Sequence, residues 1–202
     1  MSEAPYRQAI RDYIAREANP RDKFGHQPRL YALAQQVGAG HHYDDDIVFA
    51  AAWLHDIGVF AGHRPEDPEA LARWNNVTYA LKRAPGILRL ARFPEAKIAA
   101  VVEAIRTHQP GFEPTTLEGH IIRDADILEQ LGVIAVLRTV CKLGRDTRFQ
   151  EFTDAVNSLH RSLATLPVQI RLDSARKLAE PKIAALRAFL EAVDSESQNA
   201  LY

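Results

Sequence analysis

The chain has 202 residues, of which 47% are hydrophobic and 25% charged, and its formal net charge is −1. This is the composition of an ordinary globular protein, and the near-neutral charge gives no support to a nucleic-acid or anionic-membrane partner. The sequence shows no N-terminal pattern typical of a signal peptide. It also shows no apolar run that approaches the length of a membrane span, roughly 20 residues. We therefore expect a cytoplasmic protein that binds neither membrane nor nucleic-acid strand, with its oligomeric state left open.

The apolar residues recur with helical spacing almost throughout the chain, which predicts an all-α fold. The first helix ends at Asn19–Pro20, and the second begins near Pro28. The third begins at Asp44–Asp46, because carboxylates cap the free N–H groups of a first turn, and it runs to Asp56 before Gly58. Later helices are predicted over 69–83, 94–108, around Asp126, around Arg138, and over 149–163 and 172–193.

The breaks between these helices indicate the organisation of the chain. Pro85–Gly86 is predicted to end a helix, and the segments 59–68 and 109–114 are predicted loops. A single domain is expected over residues 1–194, followed by a flexible C-terminal tail over 195–202. The one cysteine, Cys141, excludes an intramolecular disulfide framework, and its apolar neighbours predict a buried thiol.

His55-Asp56 is the most informative feature, because it lies in the apolar run Ala50–Gly58. Burying a carboxylate without a partner is costly, so this charge needs a cation or a hydrogen-bond donor. His26 upstream and Asp126 downstream fit as further ligands of one ion. Imidazole and carboxylate together suit divalent first-row metals.

The ordered motifs His26, His55-Asp56 and Asp126 resemble the HD superfamily of metal-dependent phosphohydrolases, in its bacterial single-domain branch. The resemblance covers most of the chain and includes Thr116–Gly119. It implies a compact multi-helix HD-domain bundle with a C-terminal helical extension. It also implies one divalent metal ion (Mn, Fe, Co, Ni, Mg or Zn) on the four ligands; a binuclear site is the alternative.

The resemblance implies a phosphohydrolase acting on a small phosphate ester or anhydride, with nucleotides the leading class. Catalytic roles are expected for Asp56, His108 and His63. Two arginines are expected to bind the phosphate, because guanidinium matches its geometry; these are Arg29 and Arg138. The alternative is a metal- or nucleotide-binding sensor without catalysis, since many relatives have an acidic residue where this chain has Val59.

Overall fold

The computed structural model describes residues 3–109, 111–146, 148–198 and 200–201, apart from the side chain of Asp22. In these ranges the chain forms helices and no β-strand, so the all-α prediction is confirmed. None of the described helices has the length and apolar composition needed to cross a lipid bilayer. The helices are α1 (Pro5–Glu17), α2 (His26–Gly38), α3 (Asp45–Leu54), α4 (Pro68–Ala72), α5 (Asn76–Leu90), α6 (Glu95–Thr107), α7 (Leu117–Glu129), α8 (Val133–Val140), α9 (Phe152–Thr165) and α10 (Asp173–Ser197).

The chain divides into two compact units, residues 1–125 and 126–202. In the first unit α3 is the core helix: Ile47 through Leu54 are all buried, and α1, α2, α5 and α6 pack against it. A helix that is apolar on every side is stable only when neighbours surround it. The expectation of a single domain stays a prediction.

Charged side chains fix the start of α3. Asp44 caps the helix by accepting a hydrogen bond from the Asp46 backbone N–H, as the sequence predicts. Arg7 from α1 and Lys97 from α6 both form ion pairs with Asp46. Burial alone would raise the pKa of Asp46, but the hydrogen bonds from Lys97 and Arg7 outweigh it and lower the pKa to about 2. The network therefore ties three helices together at one end of the core.

The predicted break at Pro85–Gly86 is wrong, because α5 continues through it to Leu90. A proline inside a helix removes one backbone hydrogen bond, and here the packing of α5 against α6 compensates. The helix predicted over 69–83 is instead two helices, α4 and α5. The Asn75 side chain begins the second by accepting from the Thr78 backbone N–H at 2.9 Å.

The second unit contains α8, α9 and α10, which pack against one another. The α10 helix extends to Ser197, so the first part of the predicted tail is helical; Asn199 and Tyr202 lie outside the described residues. Cys141 is exposed, so the prediction of a buried thiol is wrong. The apolar neighbours misled because Leu137 and Val140 are themselves exposed.

Candidate metal centre

The His55-Asp56 pair lies in the turn that follows the last residue of α3. His55 still has helical backbone angles, whereas Asp56 has φ −114° and ψ 18° and leaves the helix. Adjacent residues of a helix point about 100° apart, so this change of direction lets both side chains turn towards one point. A single 3-10 turn, Ile57–Val59, follows at the predicted helix end.

His26, the first residue of α2, completes a cluster with His55 and Asp56. One ligand atom from each residue lies within 4.8 Å of the other two. The two Nε2 atoms are 3.2 Å apart, and His55 Nε2 is 3.8 Å from Asp56 Oδ2. His26 is 6% exposed and His55 is fully buried, while the Asp56 side chain is 22% exposed. The cluster is therefore enclosed by protein and open to solvent at Asp56.

A backbone contact indicates which ring nitrogen of His55 is the donor. Its Nδ1 lies 3.0 Å from the Ala52 carbonyl oxygen, which can only accept, so Nδ1 carries the proton. In the neutral ring Nε2 then presents a lone pair towards His26 and Asp56, as in metal-binding histidines that donate their other N–H to a carbonyl.

These donors fit a divalent metal ion. Adjacent ligands at about 2.1 Å from an ion and at right angles lie roughly 3.0 Å apart. The 3.2 Å between the two Nε2 atoms is close to that value, and the 3.8 Å from His55 Nε2 to Asp56 Oδ2 is longer. Two imidazole nitrogens at such a distance also need a shared proton or cation between them, because facing lone pairs repel.

Asn76, which sequence reasoning missed, supports the carboxylate of the cluster. Its Nδ2 donates to Asp56 Oδ1 at 2.6 Å. The first turn of α5 reaches Asp56 because position 58 is glycine: a Cβ there would lie 2.5 Å from the Asn76 carbonyl oxygen. Trp74 Nε1 also donates to the Gly58 carbonyl at 2.8 Å. No local sequence signal marks Asn76, because its role depends on a contact between distant segments.

His108 lies beside the cluster. It is the C-terminal cap of α6, is buried, and its ring centroid is 4.9 Å from that of His55. Its Nδ1 lies 2.6 Å from the Ile105 carbonyl oxygen, which fixes that nitrogen as the donor. The structure thus brings this predicted catalytic histidine to the predicted ligands.

His63 has a different environment. Its Nδ1 lies 2.8 Å from the Ile57 carbonyl oxygen, and its Nε2 lies 3.1 Å from Glu17 Oε2. The hydrogen bond from His63 is the main cause that lowers the pKa of Glu17. His63 therefore connects α1 to the turn that carries the cluster, and its catalytic role stays a prediction.

The remaining predicted site residues are Arg29, Asp126 and Arg138. Arg29 is partly buried on α2, one turn after His26. Asp126 begins the second unit; it is buried, and its Oδ2 accepts from Gln130 Nε2 at 3.0 Å. Arg138 donates to Glu129 Oε2 at 3.0 Å. Their roles as phosphate-binding residues and as fourth metal ligand stay predictions.

An all-α fold with a His–His–Asp cluster at the end of a buried helix fits a helical protein that binds a divalent metal ion. The model of the HD domain family matches residues 24–131, just over half of the chain, and the chain belongs to this family. HD domains bind divalent metal ions, which agrees with the donors of the cluster. No curated protein sequence matches the chain.

Solved structures share this fold over nearly the whole chain. A protein from Lactobacillus plantarum is 21% identical with a TM-score of 0.72, and the match covers 98% of this chain and 100% of that one. Bacillus subtilis YpgQ in complex with ADP is 20% identical with a TM-score of 0.72, covering 95% and 94%. An HD-superfamily hydrolase from Bacillus thuringiensis is 19% identical with a TM-score of 0.69, covering 96% of each chain. The chain therefore has the fold of the HD-superfamily hydrolases.

Proposed function

We propose that the protein is a metal-dependent phosphohydrolase that acts on a small phosphate ester or anhydride, with a nucleotide as the leading class. The observation that carries this proposal is the cluster of His26, His55 and Asp56, in which the backbone presets one imidazole for ligation. A pair of histidines that only stabilised the core would not need a carboxylate beside it. Here Asp56 Oδ2 lies 3.8 Å from His55 Nε2, and the Asn76 amide donates to the Asp56 carboxylate.

The three clustered residues would hold one divalent ion, and we propose Asp126 as the fourth ligand. Two imidazoles and carboxylates favour Mn, Fe, Co, Ni or Zn over Mg, which prefers oxygen ligands. When bound, the ion would supply Lewis acidity towards a phosphoryl oxygen and lower the pKa of a water molecule.

We propose roles for the other predicted site residues. His108 is the first candidate to donate a proton to the leaving group, because its ring lies against His55 and a backbone carbonyl fixes its orientation. Arg29 and Arg138 are proposed to bind the phosphate charge. His63 would hold the turn after the cluster in place through Ile57 and Glu17.

A nucleotide substrate is supported by two observations. Bacillus subtilis YpgQ, which has the same fold, was solved in complex with ADP. In this chain Phe112 is 46% exposed on the loop that follows His108, and an exposed aromatic ring offers a stacking face for a base. A compact anionic substrate also agrees with the formal net charge of −1, which supports neither a nucleic-acid strand nor a membrane surface as partner.

Phosphate release from a panel of nucleotides and sugar phosphates with added Mn²⁺ tests the proposal. We expect turnover in the wild type and none in Asp56→Asn, which keeps the shape of the side chain and removes the ligand charge. Asp12→Asn, the same change on the exposed face of α1, is the matched control and should behave as wild type.

The alternative, a non-catalytic metal or nucleotide sensor, rests on Val59, which ends the 3-10 turn after the cluster. It would be favoured if the wild type bound metal and ADP but released no phosphate from any member of the panel. Absence of both metal and nucleotide binding would exclude both functions.

A further inference from the structure

Arg123 on α7 is a charged residue enclosed by protein. It is 2% exposed, and its sequence neighbours Ile121, Ile122, Asp124 and Ala125 are fully buried. A guanidinium in such a place is costly unless acceptors satisfy its donors. Its burial therefore needs a reason.

The donors of Arg123 are poorly satisfied. Nη1 makes a long contact of 3.4 Å with Glu113 Oε2, and Nε is buried without a hydrogen-bond acceptor among the described residues. The Glu113 side chain is 60% exposed, so water competes for its charge and the ion pair is weak. A buried guanidinium with unmet donors is a site for an anion that accepts several hydrogen bonds.

The loop that carries Glu113 connects this arginine to the end of α6. It begins directly after His108, whose ring contacts His55. The same loop packs on α7 one turn before Arg123, since a Cβ at Gly119 would lie 2.9 Å from Pro114 Cβ. The last residue of α6 also lies there, with Thr107 Oγ1 at 3.4 Å. His108, whose ring contacts His55, and Glu113, which contacts Arg123, are thus five residues apart in the chain.

We propose that Arg123 binds a phosphate group of the substrate and that Glu113 occupies this position until the substrate enters. The proposal deepens the phosphohydrolase function proposed above and rests on it for the identity of the anion. Guanidinium presents a planar pair of donors to two phosphate oxygens. The contact between this exposed carboxylate and Arg123 is long at 3.4 Å, and the negative charge opposes anion binding until it moves.

Titration calorimetry with inorganic phosphate and with ADP on the metal-loaded protein tests the assignment. Glu113→Gln removes the competing charge at nearly constant shape, so we expect both ligands to bind at least threefold more tightly. Glu103→Gln makes the same charge change in the surface ion pair with Arg106 on α6, and its affinities should stay within twofold of wild type.

Arg123→Gln should weaken both ligands at least tenfold, which corresponds to about 1.4 kcal/mol, with an unchanged metal content. If this variant does not fold, Glu113→Gln decides alone. The proposal is overturned if Glu113→Gln binds phosphate no more tightly than wild type, if a folded Arg123→Gln keeps wild-type affinity, or if the wild type binds neither ligand.

The two proposals can fail separately. If phosphate affinity depends on Arg123 but the protein hydrolyses no substrate, the anion site is supported and the hydrolase function is rejected. If the protein hydrolyses nucleotides but Glu113→Gln and Arg123→Gln change neither KM nor affinity, the hydrolase function is supported and this anion site is rejected.

Discussion

Removing the amide of Asn76 should weaken metal binding without unfolding the protein. In Asn76→Ala, Asp56 Oδ1 loses the donor that holds it at 2.6 Å. A hydrogen bond to a charged group contributes about 1.5–3 kcal/mol. Since the Asp56 side chain is 22% exposed, water replaces part of this interaction, and we expect a loss of about 1–2 kcal/mol, or roughly 5- to 30-fold in metal affinity.

The assay is competition for Mn²⁺ or Zn²⁺ between the protein and a chromophoric chelator at constant pH. Asn75→Ala is the matched control, because it removes the cap of the same helix, which bonds to the Thr78 N–H. This control should lower stability by about 1 kcal/mol and leave metal affinity unchanged. Equal metal affinity in Asn76→Ala, Asn75→Ala and wild type would refute the role given to Asn76.

Three further predictions follow from contacts of the first unit. Gly58→Ala should lower both the melting temperature and the metal affinity, because the added Cβ would lie 2.5 Å from a backbone oxygen of α5. Gly86→Ala is its control: the added Cβ would have no atom within 4 Å, so this change should stabilise the helix by up to about 1 kcal/mol. The pKa of Asp46 is about 2 in the folded protein against an ordinary 3.8, so its stabilisation is present above pH 3.8 and is lost as the pH falls towards 2. Lys97→Met should raise the pKa of Asp46 and lower the free energy of unfolding by about 1–2 kcal/mol at neutral pH. In urea unfolding, the variant should then lose less stability than wild type between pH 4 and pH 2. An equal loss of stability in both proteins over this pH range would contradict the prediction. Phe112→Ala should raise KM for nucleotides several-fold and leave KM for inorganic pyrophosphate unchanged, and a parallel rise in both would argue against stacking.

Local sequence signals account for the helical fold and for three residues of the candidate metal centre. Asp44 caps α3 as the acidic run predicts, since capping involves neighbours in sequence. His26, His55 and Asp56 converge as the resemblance of their ordered motifs to the HD superfamily implies, and the burial of the segment indicates that Asp56 needs a partner.

Contacts between distant segments account for what the sequence did not reveal. The α5 helix passes through Pro85 because its packing outweighs one lost hydrogen bond. Asn76 reaches Asp56 only because Gly58 leaves room for the backbone. His63 pairs with Glu17, which is 46 residues away in sequence, and no spacing rule predicts such a pair.

The central claim is that one divalent ion on the His–His–Asp cluster is required for phosphohydrolysis. The most direct measurement is phosphate release from a nucleotide by chelator-stripped protein as Mn²⁺ is added, with bound metal counted by mass spectrometry. We expect activity to be absent without metal, to return in proportion to bound ion and to saturate near one ion per chain, while Asp56→Asn stays inactive. Wild-type turnover that is the same before and after stripping, or in Asp56→Asn, would contradict the claim.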